Sequence, residues 1–330
     1  MYIGVAIKLV LNMHDLNNER AEEIRRIPLI YRDEKGEWRV FEEAVAVSGV
    51  MVKHWHFAYM VTLGTKEEGV KFCAYCNRLE AIRVLSGTTV DELGLIKECA
   101  GEDVHGFLRA TPPLRRESLA RFSWMVPLLN EEVVKTFGLP TPFRVLQHSR
   151  NVREIPENAR EEVRQAQMPY PRSYANGIYG FTSTLDLDHV GYSFTNAKYI
   201  DDDQILVRRK IAVQAYVPML TGAVGASLAR ALPVSDVLEV LVATSDKPIP
   251  APVHPIYPDY INENVNLYEG IGKVMGTDVT IYAWSKERKV EEKTDERFKL
   301  VRVGRPADAF ACVIKKLNEP SKATKPMKGK

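Results

Sequence analysis

Apolar residues occupy every second position near the start of the chain, at Ile3, Val5, Ile7, Leu9 and Leu11. A period of two predicts a β-strand that is buried on one face only. Similar apolar runs predict later strands at residues 119–126, 143–147, 178–187, 237–243 and 279–284. The chain is therefore expected to build a sheet from both its early and its late segments.

A hairpin and several helices are expected between these strands. Residues 28–32 and 38–47 flank the turn-forming segment 33–36, which predicts a hairpin. Ser48 is a suitable N-cap, and Val52, Trp55 and Tyr59 then recur at helical spacing. Further helices are predicted at residues 205–216, 260–275 and 306–317.

Two segments do not fit this regular pattern. Residues 65–110 are irregular and rich in helix formers, which indicates an insertion over the core. The polar, arginine-rich stretch between Arg150 and Pro171 is too long for an ordinary connection and should project from the body. Strands, helices and large insertions in this order predict an α+β fold with an expanded RNA-recognition or ferredoxin-like sheet.

Composition narrows the class of protein. With 330 residues and 45% hydrophobic residues, the chain can bury a large core without disulfides or metals. Its longest apolar runs are far below the roughly 20 residues that cross a bilayer, so no membrane association is expected. The sequence begins directly with strand residues and holds only four cysteines, which predicts a cytoplasmic, reducing location.

The net charge of +2 argues against a protein coated in nucleic acid. The basic excess lies in the part that follows Lys286, where the last lysines are typical of a solvated tail. Local basic clusters nevertheless occur at Lys53-His54, Arg115-Arg116, Arg208 to Lys210 and among the six arginines from 144 to 172. A groove that follows a phosphate backbone needs only such a local line of charge.

Two motifs are candidates for binding phosphate or bases. The segment 222–227, with Arg230 close behind, has small residues that let backbone N–H groups approach a phosphate. It lacks the Lys-Ser or Lys-Thr of a nucleoside-triphosphate loop. The segment 176–181 partly matches the aromatic strand of RNA-recognition sheets, although Tyr179 and Phe181 are equally typical of core residues.

Metal and acid-base chemistry receive weaker support. Cys73 and Cys76, together with Cys99 and His105, offer ligand types for zinc, but one Cys-x-x-Cys pair is only half of a ligand set. Whether these cysteines hold zinc stays open at this point, and we predict no cofactor. The seven histidines fit no nucleophile or paired-carboxylate motif, so we predict no catalytic residue.

Several segments, taken in order, resemble one known family. They are 11–17, 48–57, 103–107, 115–116, 124–127, 166–168, 174–181, 218–233 and 254–261. From about Tyr2 to Leu317 the chain resembles the archaeal type I-A backbone subunit of CRISPR Cascade complexes. That subunit belongs to the RAMP superfamily and is also described as the CRISPR autoregulator DevR family.

The resemblance implies a hand-shaped subunit. The palm would comprise residues 1–64, 111–149 and 174–317, the helical fingers 65–110, the β-hairpin thumb 150–173 and a basic tail 318–330. Copies would stack head to tail along a CRISPR guide RNA (crRNA), beside other Cascade subunits, and the exposed bases would pair with target DNA. The implied RNA-binding residues are Asn17, Lys53, His54, Arg115, Arg116, Arg150, Met168, Gly222, Gly225 and Arg230, with Met168 as a wedge between bases.

Three functions remain open on this basis. The first is a subunit that binds guide RNA without catalysis, and it is the one we expect. The second is a metal-independent endoribonuclease that processes CRISPR transcripts, for which His54 is the residue to test. The third is a subunit that only holds partner proteins together.

Overall fold

The computed structural model describes residues 1–319, apart from 17, 21–22, 34, 81, 83, 86, 139–140, 149–168, 222–231 and 258. Its strands are β1 (Tyr2–His14), β2 (Asn18–Arg20), β3 (Glu23–Ile24), β4 (Arg26–Arg32), β5 (Trp38–Val45), β6 (Phe107–Arg109), β7 (Leu114–Arg116), β8 (Ala120–Phe122), β9 (Val126–Pro127), β10 (Phe143–His148), β11 (Pro169–Asp186), β12 (Tyr192–Ser193), β13 (Lys198–Tyr199), β14 (Val234–Ser245), β15 (Val279–Ser285), β16 (Lys293–Asp295) and β17 (Phe298–Arg302). Its helices are α1 (Gly49–Gly64), α2 (Ala74–Asn77), α3 (Glu92–Glu98), α4 (Ala100–His105), α5 (Glu131–Phe137), α6 (Asp202–Gln214), α7 (Tyr216–Met219), α8 (Tyr260–Met275) and α9 (Asp308–Asn318).

A central, mostly antiparallel sheet organises the chain. Its strands follow the order β10, β11, β1, β14, β15, β17, β16, and β8 and β9 also pair with β11. Only the β15–β17 pair among these is parallel. This mixed α/β architecture agrees with the predicted α+β class.

The first strand is buried on both faces, so the prediction of a half-buried strand was wrong. The odd positions from Ile3 to Leu11 join the larger core cluster, which includes residues of α1, α6 and α9. On the opposite face, Ala6 packs in a second core cluster that includes residues of α8. A side chain at Gly4 would come within 2.9 Å of the Tyr268 hydroxyl, so the glycine lets α8 approach closely.

The positive charge of Lys8, on that second face of β1, is neutralised by a carboxylate. Lys8 is only 6% exposed, and its Nζ forms a 2.6 Å ion pair with the buried carboxylate of Glu239 on β14. The carboxylate also receives a 2.6 Å hydrogen bond from Arg288. A buried lysine is tolerable only when it is paired in this way. The period-two pattern of β1 would instead predict that Lys8 faces solvent.

Most of the other predicted elements are present. The hairpin forms as β4 and β5, and the Ser48 hydroxyl caps α1 by accepting the Met51 N–H. The helix predicted at 260–275 has the same bounds as α8. The strand predicted at 119–126 is instead split into β8 and β9, because Met125 between them exchanges two 2.9 Å hydrogen bonds with Val47.

The segment predicted to form the thumb lies almost wholly outside the described residues. Its flanks are described: β10 and β11 pair antiparallel, with His148 opposite Pro169. The two residues that flank 149–168 therefore lie at paired positions in the sheet. Among the described residues, no helix is both long enough and apolar enough to span a membrane.

Candidate nucleic-acid interface

Three segments that the sequence associates with RNA leave the sheet at the same end. The carboxyl end of β1 lies between the two other strands, with Asn12 opposite Val234 and His14 opposite Ala175. The segment around residue 17 follows β1, and the glycine-rich segment 222–231 precedes β14. The 149–168 segment is carried by β10 and the adjoining start of β11. We call this region, where residues 11–16, 172–177 and 232–235 meet, the β1 carboxyl end.

Side chains fix the backbone at the β1 carboxyl end. The Met13 N–H donates a 2.7 Å hydrogen bond to the Asn176 side-chain oxygen, at the point where the β1–β11 register shifts. Arg172 forms an ion pair with Asp15, and both residues are buried. These contacts tie the end of β1 to β11, beside the segments that the sequence associates with RNA.

Six of the predicted RNA-binding residues lie outside the described residues. They are Asn17, Arg150, Met168, Gly222, Gly225 and Arg230. Asn17, Gly222, Gly225 and Arg230 belong to segments that adjoin the β1 carboxyl end. The segment that holds Arg150 and Met168 begins and ends further along β10 and β11, at His148 and Pro169. The residues that flank these predicted positions are described, whereas the contacts of the six residues themselves are not.

Lys53 and His54 lie in the first half of α1. Gly49 allows the helix to start where it does, because a side chain there would come within 2.6 Å of the Phe122 carbonyl oxygen. Lys53 is half-buried, and its Nζ donates a 2.9 Å hydrogen bond to the His105 carbonyl oxygen at the end of α4. The His54 ring is also half-buried and lies 6.1 Å from the Phe57 ring. Both side chains therefore have protein contacts as well as partial exposure.

Arg115 and Arg116 point in opposite directions, because successive residues of strand β7 alternate between faces. The Arg115 side chain is 71% exposed and forms a 3.1 Å ion pair with Glu117. The Arg116 side chain is 0% exposed. Only Arg115 of this pair is placed to meet a phosphate.

Arg116 is the centre of a buried ionic cluster. Its Nη1 lies 2.6 Å from a Glu92 oxygen and its Nη2 lies 2.7 Å from an Asp103 oxygen. It also donates to the backbone oxygens of Asp103, His189 and Tyr192. The prediction that Arg116 binds RNA phosphate was therefore wrong, since its donors are directed at these protein acceptors.

Arg208 completes this cluster with a 3.0 Å ion pair to Asp103. Burial opposes ionisation of Glu92, but hydrogen bonds from Thr195 and Arg116 hold the pKa of Glu92 below its ordinary value. The cluster adjoins the opposite end of the sheet, because its acceptors at 189 and 192 follow the end of β11, where Asp186 pairs with Tyr2. β1 spans 13 residues, so about 40 Å separates the two ends.

The aromatic strand belongs to the core. Tyr179 is 0% exposed and Phe181 is 2% exposed, and both join the larger core cluster. Burial raises the pKa of the Tyr179 hydroxyl above its ordinary value. These rings cannot stack on bases in the manner of an RNA-recognition sheet, which confirms the core interpretation of this motif.

Three histidines of the resembling segments are buried. His56 and His105 lie 3.1 Å apart between ring nitrogens, and His56 also contacts the Ala212 carbonyl oxygen. His14 packs edge-on against Tyr179 with ring centres 4.8 Å apart. Burial lowers the pKa of His14 to about 3 and that of His56 to about 4, so both rings are neutral near neutral pH.

Sequence reasoning did not single out Arg144, although it lay within the arginine cluster. It is exposed on β10, opposite Ser173 and four residues before the end of the described strand. The signal was available in the alternation of the strand, since Arg144 and Leu146 share an exposed face. Arg144 is therefore a further cation at the stem of the 149–168 segment.

The cysteine cluster is more complete than the sequence indicated. Cys73, Cys76 and Cys99 offer sulfur atoms that all lie within 4.8 Å of one another. His105 is not a member of this group, and its ring instead contacts the rings of His56 and Phe57. The fourth ligand proposed from the sequence is thus not assembled with the three cysteines.

Comparisons with known proteins agree with the fold and with the segment order. The model of a family described as CRISPR-associated negative auto-regulator DevR/Csa2 matches residues 5–265. A CRISPR-associated protein Cas7/Cst2/DevR of Methanocaldococcus jannaschii is 32% identical over 309 residues, which cover 86% of this chain and 93% of the relative. A CRISPR-associated protein Cas7/Csa2 of Saccharolobus solfataricus is 26% identical over 318 residues, which cover 89% and 96%.

Solved structures share the architecture at low sequence identity. A chain of a CRISPR RNA-guided surveillance complex in a pre-nicking state matches with a TM-score of 0.52 and 12% identity, over 96% of this chain and 100% of that chain. Another chain of a CRISPR RNA-guided surveillance complex matches with a TM-score of 0.50 and 14% identity. Because the family model spans most of the sequence and the Methanocaldococcus relative matches over nearly its whole length, this chain belongs to the CRISPR-associated DevR/Csa2 family.

Proposed function

We propose that this chain is a crRNA-binding backbone subunit of a CRISPR Cascade surveillance complex. Membership of the DevR/Csa2 family over residues 5–265 carries the proposal. The geometry supports it, because three segments with the residue types that bind RNA adjoin one end of the central sheet. Chains that share this fold occur in RNA-guided surveillance complexes.

The guide RNA would cross the molecule at the β1 carboxyl end. In this proposal residues 1–64, 111–149 and 174–317 form the palm, 65–110 the fingers, 150–173 the thumb and 318–330 a basic tail. Asn17, Arg150, Arg230 and the backbone at Gly222 and Gly225 bind the sugar-phosphate strand. Arg144 adds a cation at the stem of the thumb, and Met168 separates two bases as a wedge.

Lys53, His54 and Arg115 would make outer contacts with the guide. The half-buried α1 side chains keep part of their surface exposed, and Arg115 is mostly exposed. Arg115 lies toward the opposite end of the sheet from the thumb, so a phosphate that it binds belongs to a distant part of the guide. Successive copies arranged head to tail would supply such a continuous track.

Recognition of sequence would then be left to base pairing. Contacts to phosphate and ribose position a strand but carry no sequence information. The exposed bases pair with target DNA, and other Cascade subunits join the filament. The proposed activity is binding without catalysis. The rings of His14, His56 and His105 are buried, and the partly exposed His54 is the residue that the cleavage assay below tests.

Salt dependence of crRNA affinity tests the binding mode. Each of Arg150→Ala and Arg230→Ala is expected to reduce the slope of log affinity against log salt by about 0.7 to 1, with no change in sequence preference. Lys299→Ala is the matched control, because Lys299 is exposed on β17, near the other edge of the sheet. Unchanged affinity and slope in both arginine variants would refute the proposed surface and favour a subunit that only holds proteins together.

A second experiment tests the wedge and the absence of cleavage. Met168→Ala should leave the salt slope unchanged but weaken the regular interruption seen by nuclease footprinting of the bound guide. Repeat RNA incubated with the protein should stay intact. Specific cleavage that His54→Ala abolishes would instead identify the endoribonuclease alternative.

A further inference from the structure

Two separate segments bring three cysteines to one point beside α1. Cys73 is the N-cap of α2, Cys76 lies within this short helix, and Cys99 lies between α3 and α4. Their sulfur atoms are within 4.8 Å of one another, and Cys76 and Cys99 are fully buried. The fourth cysteine, Cys312, lies on α9 and is not part of this group.

Backbone contacts hold the two segments in this arrangement. The Ala100 N–H donates a 2.9 Å hydrogen bond to the Lys71 carbonyl oxygen, which ties the residues beside Cys99 to those before Cys73. A side chain at Gly101 would come within 2.9 Å of the Cys76 sulfur. Glycine at this position therefore lets the α4 backbone approach the cluster closely.

One of the sulfur atoms accepts a hydrogen bond, and the group lies in an apolar environment. The Cys76 N–H donates to the Cys73 sulfur at 3.5 Å. Around them, Phe57 and Val61 of α1 form a buried apolar wall.

We propose that Cys73, Cys76 and Cys99 bind one thiophilic divalent cation, for which zinc is the expected metal. Tetrahedral coordination at about 2.3 Å from each sulfur places the sulfur atoms about 3.8 Å apart, so small side-chain rotations close the observed spacing. Thiolate ligands select zinc over magnesium or calcium. Cys73 is half-buried, and its exposed side leaves the fourth position to water.

Such an ion would join residues 73–76 to residue 99 within the 65–110 insertion, at the place where the cysteines pack against Phe57 and Val61 of α1. Metal binding that requires folded geometry contributes its free energy to folding. The site does not depend on RNA, so its test is separate from that of the proposed function. A disulfide between two of the cysteines is the competing outcome, and it would leave the third sulfur without a role.

Metal content of the full chain tests the proposal. Protein purified without chelators is expected to carry about one zinc per chain, and Cys73→Ser should lower this about tenfold or more. Cys312→Ser is the matched control and should keep the wild-type content. Zinc retained in Cys73→Ser, wild-type protein without zinc, or a disulfide among the three cysteines would each overturn the proposal.

Cobalt titration keeps the test independent of the folding of a variant. Chelator-treated wild-type protein is titrated with Co²⁺, and thiolate-to-cobalt charge-transfer absorption should saturate at about one equivalent. Chelation should also lower the melting temperature of wild type and Cys312→Ser but not that of Cys73→Ser. Absence of the charge-transfer band from chelated, fully reduced wild-type protein would refute thiolate coordination.

Discussion

Replacing Arg116 by glutamine is expected to damage the fold and leave the RNA surface intact. The guanidinium lies between Glu92 and Asp103 with its side chain 0% exposed. After the change, Arg208 still pairs with Asp103, whereas Glu92 loses its arginine partner. Removing one member of a buried ion pair typically costs about 3 to 5 kcal/mol. Arg115→Gln, on the exposed face of the same strand, should cost at most about 1 kcal/mol.

Urea unfolding with linear extrapolation gives both stabilities in one buffer. Under conditions where both variants are folded, crRNA affinity is then measured over a salt series. Arg116→Gln should keep the wild-type salt slope, and Arg115→Gln should reduce it by about 0.7 to 1 if Arg115 binds a phosphate. An Arg116→Gln protein with wild-type stability and a reduced slope would refute the assignment of Arg116 to a buried cluster.

Three further predictions concern stability. Gly49→Ala should destabilise the chain by about 1 to 3 kcal/mol, because the new methyl group meets the Phe122 carbonyl oxygen at 2.6 Å. Gly270→Ala, in the middle of α8 with nothing within 4 Å of the new atom, should stabilise it by about 0.4 to 1 kcal/mol; equal effects in urea unfolding would contradict both. In the folded chain, burial lowers the pKa of His14 to about 3 and that of His56 to about 4, below the ordinary 6.5. Because the unfolded chain then binds protons more readily, the stability of the fold should fall as the pH drops from 6.5 toward 4. The loss of stability is up to about 1.4 kcal/mol per pH unit for each ring. If the stability of His14→Gln falls with pH as steeply as that of wild type, this prediction for His14 is wrong.

The sequence placed most regular elements because local patterns determined them. Period-two alternation marked the principal strands, and Ser48 marked the start of α1 through its capping hydroxyl. The amphipathic repeat of 260–275 has the same bounds as α8. The order of the motifs also indicated the family, which the comparisons then confirmed.

Local patterns could not place residues whose surroundings come from distant segments. The burial of Lys8 depends on Glu239 of β14 and on α8, both more than two hundred residues away along the chain. The burial of Arg116 depends on Glu92, Asp103 and two backbone oxygens that follow β11. Two adjacent arginines therefore looked equivalent in the sequence although a strand points them to opposite sides.

The sequence by itself determined the strands, the helices, the family and the segments that carry RNA-binding residue types, since these follow from local spacing and motif order. Only the tertiary structure decided that three of those segments share one end of the sheet, that Arg116 is buried and that three cysteines meet. The physical reason is that strand register and helix packing, and not sequence distance, determine which side chains exclude water together.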